Sequence, residues 1–236
     1  MRGLFVTGTD TGVGKSVLSA ALLAAMSAAG EPVRAHKPVL TGLAESPAGD
    51  WPPDHELLGQ MSGTPPQRVA PLRFAAPASP RLAAALEGYE IRPAELLANA
   101  RAAGGGSRTL LVEGVGGLLV PLAEGYDGRD LAVELGLPLL IAARPGLGTL
   151  NHTLLTLEAA RAHGLEVAAV VLSRWPADPG GLERSNLQTL RELGRTEVLT
   201  LPFLPGPDRA ALAAAGDGLP WRRWLDDGVA SGHPLN

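Results

Sequence analysis

The chain has 236 residues, 45 % of them hydrophobic and 19 % charged, enough for one large α/β domain and far from the composition of extended disorder. With 20 basic and 24 acidic residues the formal charge is −4, and no basic stripe is present, which argues against a nucleic-acid partner. The absence of cysteine excludes disulfides, thiolate metal sites and a cysteine nucleophile, and is compatible with a reducing cytoplasm.

The N-terminus runs from Met1-Arg2-Gly3 straight into Thr7-Gly8-Thr9-Asp10, too short and polar for a secretory leader. Every apolar stretch falls short of the ~20 residues a membrane span needs, so a soluble, cytoplasmic protein is expected. Apolar runs of strand length recur at Leu4–Thr7, Val33–His36, Thr109–Glu113, Leu137–Ala142, Val167–Leu172 and Val198–Leu201. Helical periodicity marks Lys15–Ala29, Pro93–Ala103, Arg129–Leu135, Leu150–His163 and Gly181–Leu193, with a short helix near Asp54–Ser62. This alternation predicts an α/β fold: a mostly parallel sheet with helices on both faces, in one domain over residues 1–236. Leu43–Pro53 and Pro65–Pro80 are proline-rich without periodicity and are expected as excursions over the carboxyl edge of the sheet. The tail Leu219–Asn236 mixes Arg222 and Arg223 with Asp226, Asp227 and helix breakers, unlike a basic amphipathic membrane anchor.

Between the first strand and first helix lies Gly8-Thr9-Asp10-Thr11-Gly12-Val13-Gly14-Lys15-Ser16, a complete G-x-x-x-x-G-K-[ST] motif in the context that gives it meaning. Its glycines let successive N–H groups face phosphate oxygens, and the helix adds its positive N-terminal end. Lys15 is expected at the β/γ-phosphates, and Ser16 offers a hydroxyl to a phosphate-bound Mg²⁺. The motif names no reaction by itself.

Lysine is scarce: 18 of the 20 basic residues are arginine, and the only lysines are Lys15 and Lys37. Lys37 follows the second strand, and parallel strands deliver their carboxyl ends to one edge, so both lysines are expected at one site. Pro38 biases Lys37 toward an extended backbone. Glu113 closes the third strand before Gly114-Val115-Gly116-Gly117; it reads either as a Mg²⁺ ligand or as a simple strand end. Asp54 reads either as an N-cap or as a further member of that metal shell.

Four motifs taken together, Thr7-Gly8-Thr9-Asp10-Thr11-Gly12-Val13-Gly14-Lys15-Ser16, Lys37-Pro38-Val39-Leu40-Thr41-Gly42, Val112-Glu113-Gly114-Val115-Gly116-Gly117 and Leu147-Gly148-Thr149-Leu150-Asn151-His152, resemble those of the dethiobiotin synthetase family. The resemblance implies a three-layer P-loop NTPase fold. It also implies a homodimeric, Mg²⁺-dependent ATP ligase that joins 7,8-diaminononanoate and CO₂ into the cyclic urea of dethiobiotin, through a carbamate and its mixed anhydride with phosphate. It assigns Lys37 and Lys15 as catalytic, and Ser16, Asp54 and Glu113 to Mg²⁺. Thr11 and Thr41, with Leu150 and Asn151, fall to the diamine. Gly12, Val13, Gly14, Lys15, Ser16, Val17, Asp54, Glu113, Gly114, Val115 and Gly116 fall to the nucleotide's phosphates, and Ser173, Pro202, Phe203 and Leu204 to its base. Asn151 would meet the substrate carboxylate from the second subunit; as a residue it reads equally as an N-cap.

Two departures stand out. Gly12 occupies a loop position where many family members carry glutamate, and Ser173 replaces an asparagine that reads adenine. A hydroxyl offers less than an amide's donor and acceptor pair, so weaker base discrimination is expected. The alternative is a partition- or Min-type switch ATPase, but those bear a lysine early in the loop where this chain has Asp10. A glutamine-dependent amidase would need a cysteine nucleophile that the chain lacks.

Overall fold

A computed structural model describes residues 1–44, 51–106 and 108–230, with side chains through residue 226. Residues 45–50 of the first proline-rich excursion and 231–236 of the tail lie outside the described residues. In chain order the elements are β1 (Gly3–Gly8), α1 (Lys15–Ala28), β2 (Val33–His36), β3 (Val39–Leu40), α2 (Asp54–Ser62), α3 (Pro66–Val69) and β4 (Leu72–Arg73). Next come α4 (Pro80–Leu86), α5 (Pro93–Ala103), β5 (Thr109–Gly117), β6 (Pro121–Ala123), β7 (Tyr126–Asp127), α6 (Gly128–Leu135) and β8 (Leu139–Ala143). The last are α7 (Thr149–Ala162), β9 (Val167–Trp175), α8 (Gly181–Leu193), β10 (Val198–Pro202), α9 (Arg209–Asp217) and α10 (Trp221–Ala230).

Six strands form one parallel sheet in the order β10-β9-β8-β1-β5-β2. Alternate residues of each buried strand feed opposite cores, as the period of two demands. Phe5, Leu110, Val112, Ile141 and Leu172 face the layer of α4 to α8, whereas Leu4, Val6, Leu111, Leu140 and Val171 face α1, α2, α9 and α10. Helix α1 is apolar on every side and buried from Leu18 through Met26, because it lies between the sheet and α9. Close approach of these helices depends on Gly216, where a Cβ would come within 2.1 Å of the Ala21 carbonyl oxygen.

The sequence reading locates all six sheet strands, and its omissions share a cause: packing carries more of the signal than local pattern does. Helix α9 is alanine-rich and lacks a polar face to betray its period. The tail treated as acid–base mixture is helical over Trp221–Ala230, where Trp221, Trp224 and Leu225 recur at helical spacing and bury against the α1 side of the sheet. The Pro65–Pro80 excursion contains α3 and β4, and β4 pairs in parallel with β3 just past Lys37. An antiparallel β6–β7 hairpin follows β5. Among the described residues no helix is long and apolar enough to cross a membrane.

Candidate active site

The carboxyl edge of the sheet opens into a cavity of about 970 Å³. Its wall includes Thr11, Gly12, Gly14, Lys15, Ser16, Val17, Lys37, Thr41, Asp54, Val115 and Gly116, so eleven residues selected from sequence converge on one space. Prolines of both excursions, Pro52, Pro53, Pro77 and Pro80, also line it, as do Trp51 and Arg174. Neither Trp51 nor Arg174 belongs to a recognisable motif; for Arg174 the only available signal is its place at the end of the fifth apolar run.

The loop between β1 and α1 turns through left-handed glycines, with φ of 70° at Gly12 and 95° at Gly14. A side chain at Gly14 would be strained by its backbone and would also meet the Ser173 Cβ at 2.7 Å. Lys15 begins α1 and is buried, its ammonium donating to the Asp10 carbonyl oxygen at 3.1 Å. Burial holds its pKa below the ordinary lysine value, and the nearby Lys37 charge acts in the same direction against Glu113, Asp54 and Asp10.

Lys37 is the centre of the charged cluster. Its backbone N–H is anchored on the Val69 carbonyl oxygen at 2.7 Å, tying the exit of β2 to the end of α3. Its Nζ donates to Asp54 Oδ2 and to Glu113 Oε1, each at 2.6 Å. Ser16 Oγ donates to the same Glu113 oxygen at 3.0 Å. Burial alone would favour the neutral amine, but the two carboxylates reverse that and raise the Lys37 pKa above the ordinary lysine value. Asp54 responds in the opposite sense: burial raises it, and the Lys37 ammonium, with help from the Ser16 hydroxyl and Lys15, brings its pKa below the usual carboxylate value. Glu113 is fully buried, and its second oxygen, Oε2, has no hydrogen-bond partner among the described residues.

Three of the open alternatives close here. β5 continues to Gly117, so Glu113 lies within the strand and is not its end. The N-cap of α2 is Pro53, and Asp54 makes no capping bond, which leaves its carboxylate to Lys37. The N-cap of α7 is Gly148, so Asn151 is an exposed residue of the first turn and not a cap.

The remaining selected residues stand apart from the cavity wall. Val13 is buried in the α1-side core, and Gly114 packs on Phe5, where a Cβ would sit 3.2 Å from the ring. Leu150 and Asn151 lie at the start of α7, while Pro202, Phe203 and Leu204 follow the end of β10. Ser173 is buried against Gly14, and its hydroxyl has no hydrogen-bond partner among the described residues.

A family model described as an AAA domain matches residues 2–210. The ATP-dependent dethiobiotin synthetase BioD of Anaeromyxobacter sp. (strain K) is 44 % identical over 214 residues, covering 89 % of this chain and 94 % of that protein. The chain belongs to the dethiobiotin synthetase family. The synthetase of the same name from Mycobacterium avium (strain 104) is also 44 % identical, over 91 % of each chain. Among solved structures, the MinC:MinD cell division protein complex of Aquifex aeolicus aligns over 100 % of this chain and 98 % of its own with a TM-score of 0.51 and 14 % identity. That likeness concerns the fold alone. Dethiobiotin synthetases are ATP-dependent ligases that form carbon–nitrogen bonds, and the phosphate loop supplies the nucleotide site such a reaction needs.

Proposed function

We propose that this cavity uses MgATP to join 7,8-diaminononanoate and CO₂ into dethiobiotin, and that the whole chain, as one domain in the cytoplasm, serves that reaction. The observation that carries the reading is Lys37, an ammonium held between two carboxylates on the floor of a phosphate-loop cavity.

Bond by bond, one substrate amine takes up CO₂ as a carbamate and releases a proton. The carbamate oxygen then attacks the γ-phosphorus, and ADP leaves. The second amine attacks the carbamoyl carbon, phosphate departs, the amine gives up a proton, and the five-membered urea closes. Negative charge on oxygen develops at both later steps. Lys15 and Lys37 place ammonium groups where that charge appears, in a site where burial strengthens each interaction. Thr11 and Thr41, on the cavity wall, orient the diamine.

Ser16, Asp54 and Glu113 are hard oxygen donors of the kind Mg²⁺ prefers, and the unpartnered Glu113 Oε2 is a buried acceptor in need of a donor or a cation. Bound there, the ion would neutralise charge on the phosphates. We further propose a homodimer in which Asn151 of a second copy meets the substrate's distant carboxylate near the start of α7. Exposed leucines beside it support this: Leu147 is 90 % and Leu155 56 % exposed.

The test is ADP release from MgATP with bicarbonate and the diamine together and with each omitted, using labelled bicarbonate. Diamine-dependent release with label retained in a cyclic urea is expected. Slow hydrolysis indifferent to the diamine would remove the ligase reading.

A further inference from the structure

The cavity has a second end that the chemistry above does not use. Strand order sets the direction of a bound triphosphate, given the placement of its γ-phosphate proposed above. Lys37 and Glu113 come from β2 and β5, on one side of β1, so the nucleobase falls on the other side, over the ends of β8, β9 and β10. There β9 finishes in Ser173-Arg174-Trp175, held beside β10 by the pairing of Trp175 with Pro202.

Ser173 is packed against Gly14, and its buried hydroxyl is not part of the cavity wall. Arg174 is on that wall. Its backbone has φ of 58°, a left-handed conformation that non-glycine residues adopt rarely and at a cost. Its guanidinium is exposed and makes no hydrogen bond or ion pair with any described residue. One strand away, the Phe203 N–H donates to the Trp175 carbonyl oxygen at 2.9 Å, and Phe203 is 61 % exposed, an unused aromatic face at the same end.

We propose that Arg174 is the base-reading residue of this site, and that the site takes guanine nucleotides at least as well as adenine nucleotides. A guanidinium only donates. Guanine offers O6 and N7 as two acceptors on one edge, matching the planar fork, whereas adenine sets an N6 donor beside its N7 acceptor. Phe203 supplies a stacking surface that any base accepts.

Titration calorimetry of the full chain with non-hydrolysable GTP and ATP analogues, in the presence of Mg²⁺, tests the assignment, with diamine-dependent urea formation measured separately. The expected dissociation constant for the GTP analogue is no larger than for the ATP analogue. Arg174→Gln, whose amide both donates and accepts, shifts the ratio toward ATP by about tenfold. Arg174→Gly suits the left-handed backbone, and so separates base reading from folding; it brings the two affinities within about threefold of each other. Tighter binding of the ATP analogue by the unsubstituted chain, or a ratio unmoved by both substitutions, overturns the proposal. Failure to form a cyclic urea with either nucleotide removes the ligase reading instead, while the binding ratio still decides the role of Arg174. Binding of neither nucleotide overturns both.

Discussion

The two ends of the nucleotide cavity are built on opposite plans. At the β2–β5 end, Lys37, Asp54, Glu113 and Ser16 form a closed set of short hydrogen bonds around a fully buried carboxylate. At the β9–β10 end, Arg174 and Phe203 are exposed, and the guanidinium is free of partners among the described residues. On the proposed reading, the difference follows from what each end has to do. Charge that develops during phosphoryl transfer is stabilised best by groups already in place, because reorganisation would cost at the moment of reaction. A base remote from the reacting atoms needs only a surface and a few hydrogen bonds, so that end carries little internal constraint.

Removing the ammonium is the severest way to break the comparison. Lys37→Ala leaves Glu113 buried without its cation, an arrangement that costs about 3–5 kcal/mol of stability, and it should lower urea formation by about a thousandfold or more. Adding Glu113→Gln should recover most of the stability and none of the activity. Denaturant titration read beside product formation tests both statements, and a double variant as unstable as the single one would contradict them.

Acid tests the same end by another route. His36, at the end of β2 next to Lys37, is buried, and burial lowers its pKa to about 4 against a weaker hydrogen bond to the Arg68 backbone. Since the folded ring binds a proton less readily than the unfolded one, its contribution is complete above the unfolded pKa of about 6.5. It is lost as pH falls through about 4 and amounts to about 3 kcal/mol. His36→Leu should flatten that part of the stability profile between pH 6.5 and 4; a profile that keeps its slope would refute the assignment.

Gly14→Ala acts at the junction of the two ends. It imposes a strained left-handed alanine and presses on Ser173, at a cost of roughly 1–3 kcal/mol, and nucleotide affinity should fall with it. Pairing it with Ser173→Gly should recover only the part due to contact, which a binding titration separates from backbone strain.

A smaller effect distinguishes the two lysines from each other. Lys15 has its pKa lowered, whereas Lys37 is held protonated between carboxylates, so mild acylation should reach Lys15 first and MgATP should protect it. Peptide mapping over time gives the order; earlier modification of Lys37 would mean that the ion pairs do not persist in solution.

The β2–β5 end was legible in the sequence because its chemistry demands rare residue types at set places. Two lysines in a chain of arginines, one after the phosphate loop and one after the second apolar run, pointed to one edge of the sheet, where Lys37 meets Asp54 and Glu113. The other end was not legible to the same degree. Ser173 attracts attention by its position, yet packing against Gly14 buries it, and Arg174 is one of 18 arginines, marked only by its place after the fifth apolar run. Helices α9 and α10 were missed for a related reason: Gly216 and the paired tryptophans acquire meaning only against the helix and sheet they contact.

The sequence by itself determined the six strands of the central sheet, the helices α1, α2 and α5 to α8, and the phosphate loop, since these depend on local periodicity and on a complete glycine–lysine motif. Tertiary structure alone decided that Lys37 bridges Asp54 and Glu113, that Asn151 is not a cap, and that Arg174, not Ser173, lines the cavity. Each of those outcomes depends on distances between segments far apart in the chain, which packing sets and no local pattern records.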